Sequence, residues 1–264
     1  MHIRTDRSVS PRLCRFLDEF ARWWDPMPAD WIKRNARAVD QTGVETDASD
    51  EAIEAMIAFE QRYGGLWFPA LGPNGMEYGL GGETTVYRTA AGWAFPGISD
   101  GDWTWAVEIL LDGRAGMTLA DKPLRVLNRS VEQRLEAHAL LMAVRHWPHL
   151  ILDLATPRGM VPALADAGLP SPADAVSGPA DLWWSDDVSA IHLQLDNWWT
   201  HDHDIWSAQC FSKEGIGLGR LKELLLSGMT GFLERGGVWC SLCDRLAPSA
   251  GSGRHDPDPD RKAP

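Results

Sequence analysis

Residues Ser49–Pro69, SDEAIEAMIAFEQRYGGLWFP, constrain the fold more than any other stretch of the chain. Ser49 suits a helix cap, because its hydroxyl can accept from a backbone N–H that has no partner in the first turn. Asp50 and Glu51 complement the positive end of the helix dipole. Ala52, Ile53, Met56, Ile57, Phe59 and Tyr63 recur at helical spacing and form one broad apolar face. Gly64 and Gly65 supply the stop, since a left-handed C-terminal turn disfavours any residue with a Cβ. The apolar exit Leu66–Leu71 then runs into a turn at Gly72–Gly75. Such a stretch dictates a helix laid against a sheet, and its residues belong to the core rather than to a site.

The flanking segments add more helices and several short strands. Ser10–Trp24 reads as a helix with Ser10 as cap, Pro11 in the first turn, and a stripe of Leu13, Leu17, Phe20, Ala21 and Trp24. Pro26 and Pro28 are expected to end it, Asp30–Val39 to form a second helix capped by Asp30, and Gly43–Ala48 a polar connection. Thr84–Arg88, Gly92–Pro96 and Trp103–Leu111 have strand character, and Asp112-Gly113 after VEILL signals a hairpin. The glycines Gly79, Gly81 and Gly82 match no phosphate loop, lacking both GK[ST] and the strand–GxGxxG–helix order. Ser130 and Gln133 form a capping box for a helix lined by Val131, Leu135, Ala139 and Met142, with His138 packed beside that stripe.

Further on, Leu150–Leu154 fits a buried strand and Gly159–Ala167 a short helix. Leu169–Ala180, rich in Pro, Ser, Ala and Gly, reads as a linker or long loop. Ala190–Asp196 alternates apolar and polar residues as a half-buried antiparallel strand does, with Ile205–Phe211 as its neighbour. Leu218–Glu234 is the last helix. Pro248–Pro264 alternates Asp and Pro and is expected to be disordered. The chain lacks the strict strand–helix alternation of a parallel sheet. The expected fold is therefore α+β, a mainly antiparallel sheet flanked by helices. It forms a single domain over 1–247, with a core at about 40–145 and a strand–helix extension at about 180–240.

Composition narrows the partners. The formal net charge is −12, which disfavours nucleic acid or an anionic membrane and suits a basic partner. No apolar run approaches the roughly 20 residues needed to span a bilayer. The start, MHIRTDRSVSPRL, has no apolar segment of secretory type. Cys14, Cys210, Cys240 and Cys243 make no disulfide framework in a chain this long. A reduced, cytoplasmic protein follows as the expectation.

The order of these elements resembles the SUKH superfamily, the SMI1/KNR4 family. The residues that carry the likeness are AIEAMIAFEQRYG (Ala52–Gly64) with its E-x-x-Y-G ending, the Phe68-Pro69 exit, and ILLDGRAG (Ile109–Gly116). DKPLRVLNRSVEQRLEAHAL (Asp121–Leu140), with Leu135-Glu136 on a Ser-initiated helix, is similar to the family's closing segment. Trp67-Phe68-Pro69 is bulkier than the usual Leu-Pro exit, and Pro73-Asn74-Gly75 only approximates the family's paired-glycine loop. The likeness covers about Ser49–Leu140. It implies a non-enzymatic binding scaffold, and for bacterial members an immunity protein that neutralises a cognate toxin, often a nuclease. It implies no catalytic residues; no cofactor or metal is expected from the sequence.

The compositional oddity is Asp181–Trp206. It gathers Trp183, Trp184, Trp198, Trp199 and Trp206 with Asp181, Asp186, Asp187, Asp196, Asp202 and Asp204, and no Lys or Arg occurs between Arg158 and Lys213. Aromatic anchors inside an acidic rim describe an interface for a basic protein. The candidate partner-binding residues are accordingly Trp183, Trp184, Asp186, Asp187, Trp198, Trp199, Asp202 and Asp204. Two alternatives stand beside this reading: an enzyme or metal-binding protein using the Trp/Asp/His segment 181–206, and a regulatory scaffold of the same fold. His201 and His203 with Cys240 and Cys243 have the donor types of a zinc site, but nearly 40 residues separate the two pairs, unlike a compact finger. There is no G-x-S-x-G element for a hydrolase serine.

Overall fold

A computed structural model describes residues 1–69, 77–81, 83–100, 106–118, 124–154, 173–195, 206–215, 217–228, 238–240 and 245–247. Helix α1 spans Pro11–Phe20 and starts as the sequence dictates, with the Ser10 hydroxyl accepting from Leu13 N–H at 3.0 Å. It ends earlier than expected. Arg22–Trp23 leave it to form β1, an edge strand paired with Leu66–Trp67, and Trp23 packs edge-on against the His2 ring. The expected second helix is likewise cut short. Helix α2 is Ala29–Asn35, preceded by Pro28 with no side-chain cap, and Arg37–Val39 turn into strand β2. The competing interaction is backbone pairing: β2 lies parallel to Thr85–Thr89 (β6) and antiparallel to Glu45–Asp47 (β3), which occupies the supposed polar connection.

Helix α3 is Asp50–Tyr63, capped by Ser49 and buried through Ala52, Met56 and Phe59. Its two glycines have separate reasons. Gly65 has φ +76° and lies so close to the next segment that a Cβ would stand 2.1 Å from the Trp24 carbonyl oxygen. Gly64 instead leaves room for the side chain of Glu60, whose carboxylate would sit 2.6 Å from a Cβ there. Glu60 is 3% exposed and its Oε1 accepts from Met27 N–H at 2.7 Å, fastening the β1–α2 connection to the end of α3.

After α3 come Leu66–Pro69 (β4), Glu77–Leu80 (β5), β6, Gly92–Asp100 (β7), Ala106–Leu110 (β8), Ala115–Met117 (β9) and Arg125–Asn128 (β10). The first sheet runs β1-β4-β5-β7-β6-β2-β3, with β8, β9 and β10 continuing from β7. The Asp112-Gly113 turn joins β8 and β9, Gly113 taking φ +88°. Helix α4 (Val131–Val144) follows, then a second sheet: His149–Leu154 (β11), Asp181–Ser185 (β12), Ser189–Leu195 (β13), Trp206–Ser212 (β14), Val238–Cys240 (β15) and Arg245–Ala247 (β16), in order β12-β13-β14-β11-β15-β16. Helix α5 covers Leu218–Gly228. The protein is α+β, and among the described residues every strand pair but β2–β6 is antiparallel. No helix among the described residues is long and apolar enough to cross a membrane.

Helix α4 is buried on more than the single stripe expected. Val131, Leu135, Ala139 and Met142 enter the main core with Ile191, Leu193 and Leu195 of β13, while Ala137, Leu140 and Val144 join Trp183, Phe211 and Val176 in a second cluster. A helix apolar on opposite sides reads as buried all round. The capping box is only half formed. Ser130 Oγ accepts from Gln133 N–H at 3.1 Å, but the Gln133 side chain donates to the Val176 carbonyl and accepts from Arg129 N–H. Of the linker or long loop expected at Leu169–Ala180, the loop alternative fits the described part. That part, 173–180, is packed against α4 and β12, with Val176 fully buried. The expected helix Gly159–Ala167 and the tail Pro248–Pro264 lie outside the described residues.

Candidate functional site

The sequence-derived binding residues separate into three groups. Trp183 and Trp184 are core, 1% and 4% exposed, and this corrects their assignment as surface anchors. The reason is that both faces of β12 are covered. Trp184 enters the main cluster, whereas Trp183 lies flat on His192 across the β12–β13 pair, with centroids 4.0 Å apart and planes 9° apart. The open edge of β12 is covered too: Ser177 Oγ accepts from Trp183 N–H, and Ala173 N–H donates to the Trp183 carbonyl. Asp186 and Asp187 are exposed in the β12–β13 turn. Asp186 closes that turn by accepting from Val188 N–H and from the Ser189 N–H and hydroxyl. Partial burial opposes its ionisation, yet these bonds hold its carboxyl below the ordinary range. Trp198, Trp199, Asp202 and Asp204 lie outside the described residues, as do His201, His203 and Cys243.

Asp181 and His192, which flank Trp183, do meet. Asp181 Oδ1 accepts from Trp183 Nε1 at 2.9 Å and from His192 Nε2. A carboxylate on one ring nitrogen fixes the tautomer and leaves the other nitrogen as the reactive atom. Here the imidazole is 3% exposed and roofed by an indole, so the arrangement orders the sheet edge rather than presenting a base. On α4, His138 donates from Nε2 to the Pro69 carbonyl at 3.0 Å inside a cage of Phe16, Phe68 and Tyr78. Burial, reinforced by the Arg134 charge, pushes it down to about 4. It is the packed core histidine that its position beside the stripe implied. Cys210 is fully buried, and that burial pushes its thiol up to about 12, which makes it inert. No group of three or more His, Cys, Asp and Glu among the described residues is placed to hold a metal ion.

An acidic surface lies elsewhere, at the corner made by β2, β3 and the start of α3. Between Asp40 and Glu60 there are seven carboxylates and no Lys, Arg or His. Glu60 is buried; Asp40, Glu45, Asp47, Asp50, Glu51 and Glu54 are all exposed. The local chain explains their placement. Asp40 accepts from the Thr42 hydroxyl, Thr42 N–H and Val44 N–H, so its carboxyl is held below its ordinary range and the β2–β3 turn is fixed. In the register of β2 and β3, Glu45 stands opposite Val39 and Asp47 opposite Arg37. The Arg37 guanidinium reaches both carboxylates, at 3.6 and 3.4 Å. Val39 in turn lies beside Tyr87 of β6. Val44 in the turn (55% exposed) and Tyr87 (42%) border this corner, and Trp31 (50%) is exposed on α2, which packs against α3.

The helical pattern of Ser49–Tyr63 speaks for core alone and so hides this corner. Its buried stripe is core, yet Asp50, Glu51 and Glu54 on its outer side extend the acidic run begun at Asp40. The sequence signal is the one that also marks Asp181–Trp206, a long stretch of carboxylates uninterrupted by Lys or Arg. No family model, curated protein or solved structure matches this chain.

Proposed function

We propose that this chain is a non-enzymatic protein-binding domain, of the immunity type that the SUKH likeness implies, which neutralises a basic toxin domain by occluding it. The observation that supports this reading is the corner at Asp40–Glu54, where six exposed carboxylates lie with exposed Val44 and Tyr87, and where the helix that carries exposed Trp31 packs against α3. Interfaces for charged partners combine apolar and aromatic anchors with a rim of complementary charge. Such a field attracts a cationic partner over distances near the Debye length, so it raises the association rate more than it deepens the final affinity.

The reading is tested by coexpressing the chain with the product of the adjoining gene, expected to be a basic toxin domain, and by following their association in stopped flow. Growth is expected to be rescued, and the association rate to fall steeply with added salt. Glu45→Lys together with Glu54→Lys should slow association by about tenfold or more at low salt. An association rate indifferent to both salt and charge reversal overturns the proposal.

A further inference from the structure

The acidic corner contains more than side chains. Strand β3 is the last strand of the first sheet, and nothing pairs with its outer edge among the described residues. Asp40 N–H donates to the Val44 carbonyl and Ala48 N–H to the Ala36 carbonyl. The alternation of an antiparallel ladder therefore turns the backbone groups of Val44, Thr46 and Ala48 toward β2, and those of Glu45 and Asp47 outward. All three residues of β3 are exposed. The side chains of Glu45 and Asp47 point to the outer face of the sheet, where Arg37 reaches them, so their carboxylates flank outward-pointing donors and acceptors without blocking them.

We infer that β3 is an acceptor edge, to which the partner adds an extended segment with Lys or Arg at alternate positions. This rests on the proposed protein-binding function and specifies its mode. The backbone of such a segment would satisfy the outward groups of Glu45 and Asp47, and its cations, projecting on the same face as those two carboxylates, would complete their charge balance. Acidic side chains on an edge strand ordinarily protect it from pairing. Here they do so selectively. A second copy of this chain would set carboxylates against carboxylates, whereas a basic strand meets opposite charge, so one feature excludes self-pairing and admits the partner.

The test uses the full chain and a short acetylated peptide alternating lysine with threonine. Its control is the same peptide N-methylated at every second residue, which keeps the charges and loses one hydrogen-bonding edge. The unmodified peptide is expected to bind at least about tenfold tighter than the control and to slow hydrogen exchange at the amides of Glu45 and Asp47. Asp47→Pro deletes an outward N–H that the β2 ladder does not use, and should weaken binding about tenfold, against about threefold for Asp47→Asn, which loses the charge alone. Salt-sensitive binding that is indifferent to N-methylation, and equal for the Pro and Asn variants, overturns strand addition and leaves the acidic interface standing. Binding untouched by salt or by Glu45→Lys overturns both. Protection of the two amides by concentration-dependent dimerisation, without peptide, also overturns the inference.

Discussion

The carboxylate of Glu136 on α4 accepts from both donors of Ser10, the hydroxyl at 2.7 Å and the backbone N–H at 3.2 Å. Ser10 Oγ at the same time accepts from Leu13 N–H and so caps α1. In a local capping box the carboxylate comes from the third residue of the same helix. Here it comes from another helix, 126 residues on, and Arg12 adds a guanidinium contact at 3.3 Å. The start of α1 is thereby locked to the middle of α4.

This lock is expected to show as coupling. Glu136→Ala leaves the Ser10 N–H and the Arg12 side chain short of an acceptor and should cost about 2–3 kcal/mol, while Ser10→Ala removes the cap for about 1–2 kcal/mol. Urea unfolding of both single variants and the double variant should give a coupling of about 1 kcal/mol or more. Strictly additive costs would show that the two residues act independently.

The two glycines with positive φ at opposite ends of the β3–α3 unit should differ sharply. Gly65→Ala must take up φ +76° and also displace the Trp24 carbonyl, so a loss above about 3 kcal/mol is expected. Gly43 has φ +81° with open space where a Cβ would stand, and Gly43→Ala should cost only about 1 kcal/mol of backbone strain. Equal losses in thermal or urea unfolding would mean that the contact with Trp24 carries no weight.

Much of this fold was legible in local chemistry. Ser10, Ser49 and Ser130 cap the helices expected of them, and Asp112-Gly113 turns the hairpin it signals. One long-range pairing was legible as well, since β13 and β14 lie side by side as their alternation implied; other inferences that needed to know a neighbour failed. Nothing local separates Arg37–Val39 from the end of a helix until β6 offers it a parallel partner, and nothing local shows that Gln133 will leave its cap to hold Val176. Within the candidate site, the placing of Trp183 and Trp184 at the surface failed for the same reason. Trp183 and Trp184 have the composition of an interface, but β12 lies between two apolar clusters that bury one indole each. The exposed carboxylates of Asp40–Glu54 were visible as a charge run, whereas the edge that orients them exists only once β2 joins the sheet.

Acid stability should carry two signatures. His138 is held near 4, below its unfolded value of about 6.5, so the unfolded chain binds more protons between those values. Stability is therefore full above about pH 6.5 and is lost progressively as pH falls toward 4, by up to roughly 3 kcal/mol. Asp6 acts at lower pH. The Ser8 hydroxyl and N–H, and then Arg62, lower it to about 2, so its contribution is present above the ordinary carboxyl value and disappears as pH falls through about 2. His138→Phe should flatten the upper part of the profile and Asp6→Asn the lower part. An NMR titration placing His138 near 6.5 would remove the first signature.

Trp31 and Trp183 separate binding from folding. Trp183 is buried, stacks on His192 with Phe211 farther off, donates to Asp181, and shares a cluster with Ala137, Leu140 and Val144. Trp183→Ala empties a large volume there and should cost about 3–5 kcal/mol, with loss of the second sheet's amide protection. Trp31 keeps half its surface in solvent on a short helix, so Trp31→Ala should change stability by less than about 0.5 kcal/mol. If the corner beside it grips a partner, that same variant should weaken the complex by about 2 kcal/mol, the scale of an aromatic anchor. Both quantities come from one protein preparation, by urea unfolding and by calorimetric titration. A Trp31→Ala protein that unfolds early, or one that binds as tightly as the parent chain, would move the interface away from the Asp40–Glu54 corner.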